Sequence, residues 1–155
     1  NAITPAFPNQ YLDLDAVINK LKSEKNELQI SPEFGLIGVS AGAHISLMYD
    51  YVYDTENRVK MVVDIVGPTD FTDPFYSNDP NFPFVMAALV DESAYPDGTD
   101  YAQANSQSFW VSNQISPTLL FFVNSAPLVL GSNADTLHAA LYGIVLDYSL
   151  TNYEG

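Results

Sequence analysis

The feature that most constrains this chain is the run Phe34-Gly35-Leu36-Ile37-Gly38-Val39, followed at once by Ser40-Ala41-Gly42-Ala43. A short, nearly continuous apolar run predicts a strand buried on both faces of a parallel sheet. From Ala43 to about Tyr53 the pattern predicts a helix, with Ile45, Leu47 and Met48 available for burial. A strand that runs straight into a helix has no room for a loop, so the junction at Ser40 must be a sharp turn. Glycines two before and two after Ser40 let neighbouring backbone pass closely there.

The flanking chain repeats the alternation. Apolar residues at Leu14, Val17, Ile18 and Leu21 make the stripe of an amphipathic helix from Tyr11 to about Glu27. Met61–Val66, Thr118–Val123 and Ile144–Leu150 are strand candidates, and Phe84–Val90 is a helix-like island. Ser132–Tyr142 reads as a helix, with Ser132 as N-cap and Asp135 three residues on. Strands alternating with helices imply right-handed crossovers and a mostly parallel α/β sheet in a single domain spanning 1–155. The proline-rich, aromatic and acidic stretch 69–116 interrupts that alternation and is expected to form a cap-like insertion.

Composition limits the function classes. Apolar residues make up 47% of the chain, which excludes wholesale disorder. Five Lys and Arg against 19 Asp and Glu give a formal charge of -14, a field that repels nucleic acid and anionic lipid. The chain holds no cysteine, so disulfides, thiolate zinc sites and a thiol nucleophile are excluded. No apolar stretch approaches a membrane span, and Asn1 opens no signal peptide, as in a soluble, mature secreted or periplasmic protein. Aspartates such as Asp70 and Asp73 lack the spacing of a calcium loop, and no cofactor is expected.

The turn at Ser40 also carries chemistry. A serine hydroxyl is a weak nucleophile unless it is exposed, next to a base and facing donors for an oxyanion. A strained strand-to-helix turn exposes the oxygen, and the helix that follows directs its positive end at the site. Ser40 is thus the candidate nucleophile and the Ala41 N–H the candidate oxyanion donor. The competing reading is a small-residue turn without chemistry.

Residues Gly35 to His44 resemble the nucleophile elbow of the bacterial esterase/lipase group of α/β-hydrolases, related to hormone-sensitive-lipase-like and feruloyl-type carboxylesterases. Asn1 to Asp15, with Pro5-Ala6-Phe7-Pro8, is similar to the segment before the elbow helix in that group, Gly67-Pro68-Thr69-Asp70-Phe71 to its turn after the next strand, and Ser116–Phe121 to the strand leading to its acid loop. The resemblance implies an α/β-hydrolase-like sheet corresponding to the C-terminal part of the fold, with its N-terminal strands missing. It implies a serine esterase acting on a small-molecule ester through an acyl-enzyme on Ser40. It also implies a triad in the order Ser, Asp, His, and here the chain departs from the pattern. Ala126 occupies the acid position, and neither the family's histidine nor its second oxyanion loop falls within these residues. A catalytically inactive binding or assembly module is therefore the alternative, as is a fragment of an active esterase.

Other residues compete for the vacant roles. His44 lies one helical turn beyond Ser40 and His138 within a helix, and a structural role is favoured for both. Asp70 is the alternative acid, against a simple turn-closing aspartate. Asp135 reads as a helix cap and Asp64, inside an apolar run, as a buried structural carboxylate. Phe75, Tyr76, Phe84 and Trp110 are candidates to line an acyl or aryl pocket, with Phe82 and Phe109 beside them, against simple packing of the insertion. An isolated half-sheet leaves an unpaired edge, so either an N-terminal half or a second copy is expected to cover it.

Overall fold

The computed structural model describes residues 4–123, 129, 131–144 and 147–153. Helix α1 (Asn9–Ser23) and a further turn, α2 (Lys25–Leu28), cover the predicted first helix. Strand β1 (Phe34–Val39) and helix α3 (Ala41–Met48) meet at Ser40, and α3 widens into a π-helical turn over Tyr49–Tyr53. Strand β2 (Val59–Ile65) is followed by the short helices α4 (Pro74–Ser77), α5 (Phe82–Leu89) and α6 (Tyr101–Ala104). Strand β3 (Thr118–Val123), helix α7 (Gly131–Tyr142) and strand β4 (Tyr148–Tyr153) complete the order.

Among the described residues the strands form one sheet in the order β1-β2-β3-β4, and every pairing is parallel. Parallel neighbours need crossovers, which α3, the 66–117 segment and α7 supply. The core joins Ile18, Leu47, Leu137 and Leu141 of the helices to alternate strand residues, among them Leu36, Val62, Leu120 and Phe122. A second cluster, with Phe7, Tyr11, Met48, Phe71, Met86 and Val90, locks the 69–90 segment to α1 and α3. Phe7 bonds Leu89 and Asp91 through its backbone, which ties the N-terminal loop to the same segment.

Three expectations are corrected. Strand β1 is buried on one face only: Ile37 is 70% and Val39 58% exposed, while Leu36 packs into the core. A continuous apolar run looks the same whether its second face is covered or bare. Helix α7 starts at Gly131, so Ser132 lies in its first turn and accepts from the Thr136 hydroxyl, and Asp135 is an exposed helix residue. The last strand begins at Tyr148, where it pairs with Thr118, whereas Ile144 packs against the core from the end of α7.

Candidate active site

Ser40 adopts φ 52° and ψ -119°, between the last residue of β1 and the first of α3. This backbone region strains any residue with a Cβ, and it persists only where the surroundings dictate it. They do so here. The Ser40 N–H donates to the Ile65 carbonyl at 2.9 Å, and the Ser40 carbonyl accepts from the N–H groups of Ala43 and His44. Gly38 leaves room for the turn: a Cβ on it would stand 2.3 Å from the Ala43 nitrogen and from the Gly42 carbonyl group. Val66, at the end of β2, is a second strained residue, at φ 53°, held by an N–H bond to the Phe121 carbonyl at 2.8 Å.

The result is an exposed serine on the strand edge. Ser40 and Ala41 are both exposed, and the N–H of Ala41, the first residue of α3, has no intrahelical acceptor. Beneath them the interior is tightly filled. Asp64 is fully buried, and its Oδ1 accepts from the Gly67 N–H at 2.7 Å, while Oδ2 has no partner among the described residues. Burial pushes its carboxyl up to about 7, against the smaller opposing effect of the Gly67 N–H. This is the buried structural carboxylate expected from the sequence.

His44 is buried and fully engaged. Its Nε2 meets the Tyr11 hydroxyl at 2.8 Å, and its Nδ1 lies 3.0 Å from the Pro68 carbonyl and 2.8 Å from Gln107 Nε2. Gln107 Nε2 also donates to the His44 carbonyl at 2.8 Å, and Tyr11 donates to Asn105 Oδ1 at 3.1 Å. Burial lowers the imidazole to about 4, so the ring is neutral near pH 7 with both nitrogens occupied. It braces the elbow helix against α1, the turn after β2 and the 105–107 segment. His138 sits half-buried in α7, its ring 5.4 Å from that of Tyr148.

Asp70 is buried in the turn after β2. Its Oδ1 accepts from the Thr72 N–H at 2.8 Å and the Thr72 hydroxyl at 2.6 Å, and its own N–H donates to Asn133 Oδ1. That is the geometry of a turn-closing aspartate, and no described bond links it to a histidine. Asn133, which the sequence reading did not single out, also accepts from the Thr69 N–H at 3.0 Å and pins this turn to α7. Ala126 lies outside the described residues.

The aromatic candidates divide. Phe71 stands 4.9 Å from the His44 ring and 5.6 Å from Tyr76, and Tyr76 in turn packs 5.1 Å from Phe75, so Phe75 and Tyr76 belong to the elbow's neighbourhood. Phe84 is 75% exposed on α5. Trp110 instead lines a cavity with Met48 and Tyr53, at the far end of α3. Among the described residues no group of side chains could hold a metal ion, and no helix is long and apolar enough to cross a membrane.

A parallel sheet with a strained serine at a strand–helix junction defines the α/β-hydrolase class. Residues 2–141 match the BD-FAE family model, and the chain belongs to that family. Its fold resembles a sugar hydrolase from Lactococcus lactis (TM-score 0.78, 20% identity, covering 100% of this chain and 57% of that one). It is equally similar to a truncated carbohydrate esterase from gut microbiota (TM-score 0.78, 20% identity, 96% and 61%). A thermophilic esterase from the planctomycete Thermogutta terrifontis aligns with TM-score 0.75 at 15% identity over 98% of this chain and 56% of its own. The chain thus spans less than two thirds of these relatives' length. No curated protein matches it.

Proposed function

We propose that this chain is the nucleophile-bearing part of a serine carboxylesterase that hydrolyses small carboxylic esters. The observation that carries the proposal is the backbone of Ser40, strained and exposed at the head of α3. Its Oγ attacks the ester carbonyl carbon and gives its proton to a histidine absent from this chain. The Ala41 N–H donates to the oxyanion as it forms. Collapse breaks the ester C–O bond, the alcohol leaves with the proton, and the acyl group stays on Ser40 until water removes it. Phe75, Tyr76 and Phe84 would meet the acyl or aryl portion. Asp70 is the acid candidate in this chain only if it exchanges its Thr72 bonds for an imidazole. The bare face of the sheet, with Ile37 and Val39, would be covered by further hydrolase chain or by a second copy.

The test is labelling of the full-length protein with a fluorophosphonate, followed by mass analysis. An adduct on Ser40 that vanishes in Ser40→Ala is expected, and an unlabelled Ser40 overturns the proposal. Ala126 at the family's acid position favours a second reading, an inactive module that binds without turnover. Hydrolysis of p-nitrophenyl acetate separates the two: turnover lost in Ser40→Ala supports the enzyme, and none in the parent protein supports the module.

A further inference from the structure

The far end of α3 holds a site that the ester chemistry does not use. A solvent-open cavity of about 560 Å³ lies between the π-helical turn and the 94–110 segment. Met48 and Val52 contribute to its lining, and Tyr53, Tyr95, Phe109 and Trp110 add aromatic rings. Phe109 is 48% and Trp110 42% exposed, so neither is consumed by packing. Two of the polar tips are already engaged: Tyr95 donates to Asn105 Oδ1 at 3.0 Å and Trp110 Nε1 to the Ala104 carbonyl at 3.0 Å. Such anchoring fixes the rings while leaving their apolar surface to a ligand.

Ala94, Pro96 and Ala104 complete the apolar lining, and the polar part is nearly uncharged. Thr99, Asp100 and Gln103 contribute, and among the described residues no lysine or arginine does. Asp100 uses Oδ1 to cap the short helix α6 through the Gln103 N–H, and the Gln103 side-chain amide is exposed with no described partner. Aromatic surface beside a carboxylate and a primary amide matches a ring with apolar C–H faces and equatorial hydroxyls. An anion would meet only the Asp100 charge. A quaternary ammonium head would suit the aromatics but would fill a small part of this volume and leave Gln103 unused.

We propose that this cavity is an accessory saccharide site, in which a pyranose packs on Trp110 and its hydroxyls bond Asp100 and Gln103. Met48 is eight residues beyond Ser40, or about 12 Å along the helix at 1.5 Å per residue, so the site is separate from the elbow yet within one glycan's reach of it. It does not rest on the esterase proposal, because the ligand it takes carries no ester.

Binding is read by calorimetry on the full-length protein, with Trp110 in the cavity as the contact that a variant removes. Cellotriose, xylotriose and choline chloride are titrated into the full-length Ser40→Ala protein, which cannot form an acyl-enzyme on Ser40. A saturable change with either trisaccharide at millimolar concentration is expected, weakened about fivefold by Gln103→Ala, the loss of one hydrogen bond. Gln103 is exposed, and an unchanged circular dichroism spectrum shows that the variant is folded. Calorimetry on Trp110→Ala should show no saccharide binding. The proposal is overturned by the absence of any saturable response to either sugar, by a response to choline alone, or by sugar binding that persists in Trp110→Ala.

Discussion

The two sides of the turn at Ser40 are built on opposite principles. Inside, Gly38, Asp64, Gly67 and His44 are packed so closely that a Cβ on Gly38 or Gly67 would meet another atom at 2.3 or 2.7 Å. Outside, Ser40 and Ala41 face solvent, and a Cβ on Gly42 would meet nothing within 4 Å. The inner side fixes a strained backbone, and the outer side presents an oxygen and an N–H with no partner among the described residues. Strain of this kind is stable only because the inner side over-determines it.

Substitutions at the inner side should therefore have the largest effect. Gly38→Ala puts a methyl group into backbone that cannot move without breaking the β1–α3 junction. We expect a loss of at least about 3 kcal/mol, the upper range for overpacking, or failure to fold. Urea denaturation measures it. A change below about 1 kcal/mol would mean that the junction relaxes freely, and the contrast between the two sides would collapse.

Asp64 gives the next largest effect, through pH. Its folded carboxyl lies near 7, above the unfolded value of 3.8, so the native state holds a proton that the unfolded chain has released between those values. Stability should then be highest below about pH 4, fall as pH rises toward 7, and stay level above. Asp50, raised to about 6 by its own burial, acts in the same direction over a narrower window. Asp64→Asn keeps the acceptor for Gly67 and removes the ionisation. It should be more stable than the parent at pH 8 by on the order of 3 kcal/mol, with little difference at pH 4. Equal pH slopes for the two proteins would show that Asp64 is not held protonated.

How much of this was visible in the sequence follows from the range of each interaction. Strands β1 and β3 were legible to the residue, because their apolar runs are bounded by Pro32-Glu33 and Ser116-Pro117 on one side and, for β1, by the small residues after Val39 on the other. The turn at Ser40 was legible because its glycines are local. The bracing of His44 was not: Tyr11 and Gln107 come from 33 and 63 residues away in the chain, and Asn105, reached through Tyr11, lies 94 residues from that tyrosine. Asn133 was missed for the same reason, since its partners Thr69 and Asp70 lie 64 and 63 residues upstream. Val66 carries no signal at all, because a valine within an apolar run does not announce a positive φ.

The strain itself can be measured. Ser40→Gly removes the Cβ that makes φ 52°, ψ -119° costly, and nothing in the described hydrogen bonding depends on the Ser40 side chain. Glycine usually destabilises a fixed backbone through its unfolded-state entropy, but here the relief should prevail. A net gain of about 1 kcal/mol is expected by chemical denaturation, together with loss of fluorophosphonate labelling. Ser40→Ala keeps the Cβ and should show the second effect without the first. Equal stability of the two variants would place the strain elsewhere.

Gly42 gives the smallest effect and the sharpest distinction. It lies in the first turn of α3, where alanine is the better helix former, and the space around its missing Cβ is open. Nothing among the described residues explains why the position needs glycine. Gly42→Ala should therefore raise stability by about 0.5 kcal/mol. If the outer side receives a substrate that passes close over the first turn, the same methyl group should raise KM for p-nitrophenyl acetate while leaving the fold intact. A variant that is both more stable and equally active would mean that nothing approaches Gly42. The open side of the turn would then be spare surface, and the two glycines of the motif would have to be explained by the folding of the elbow alone.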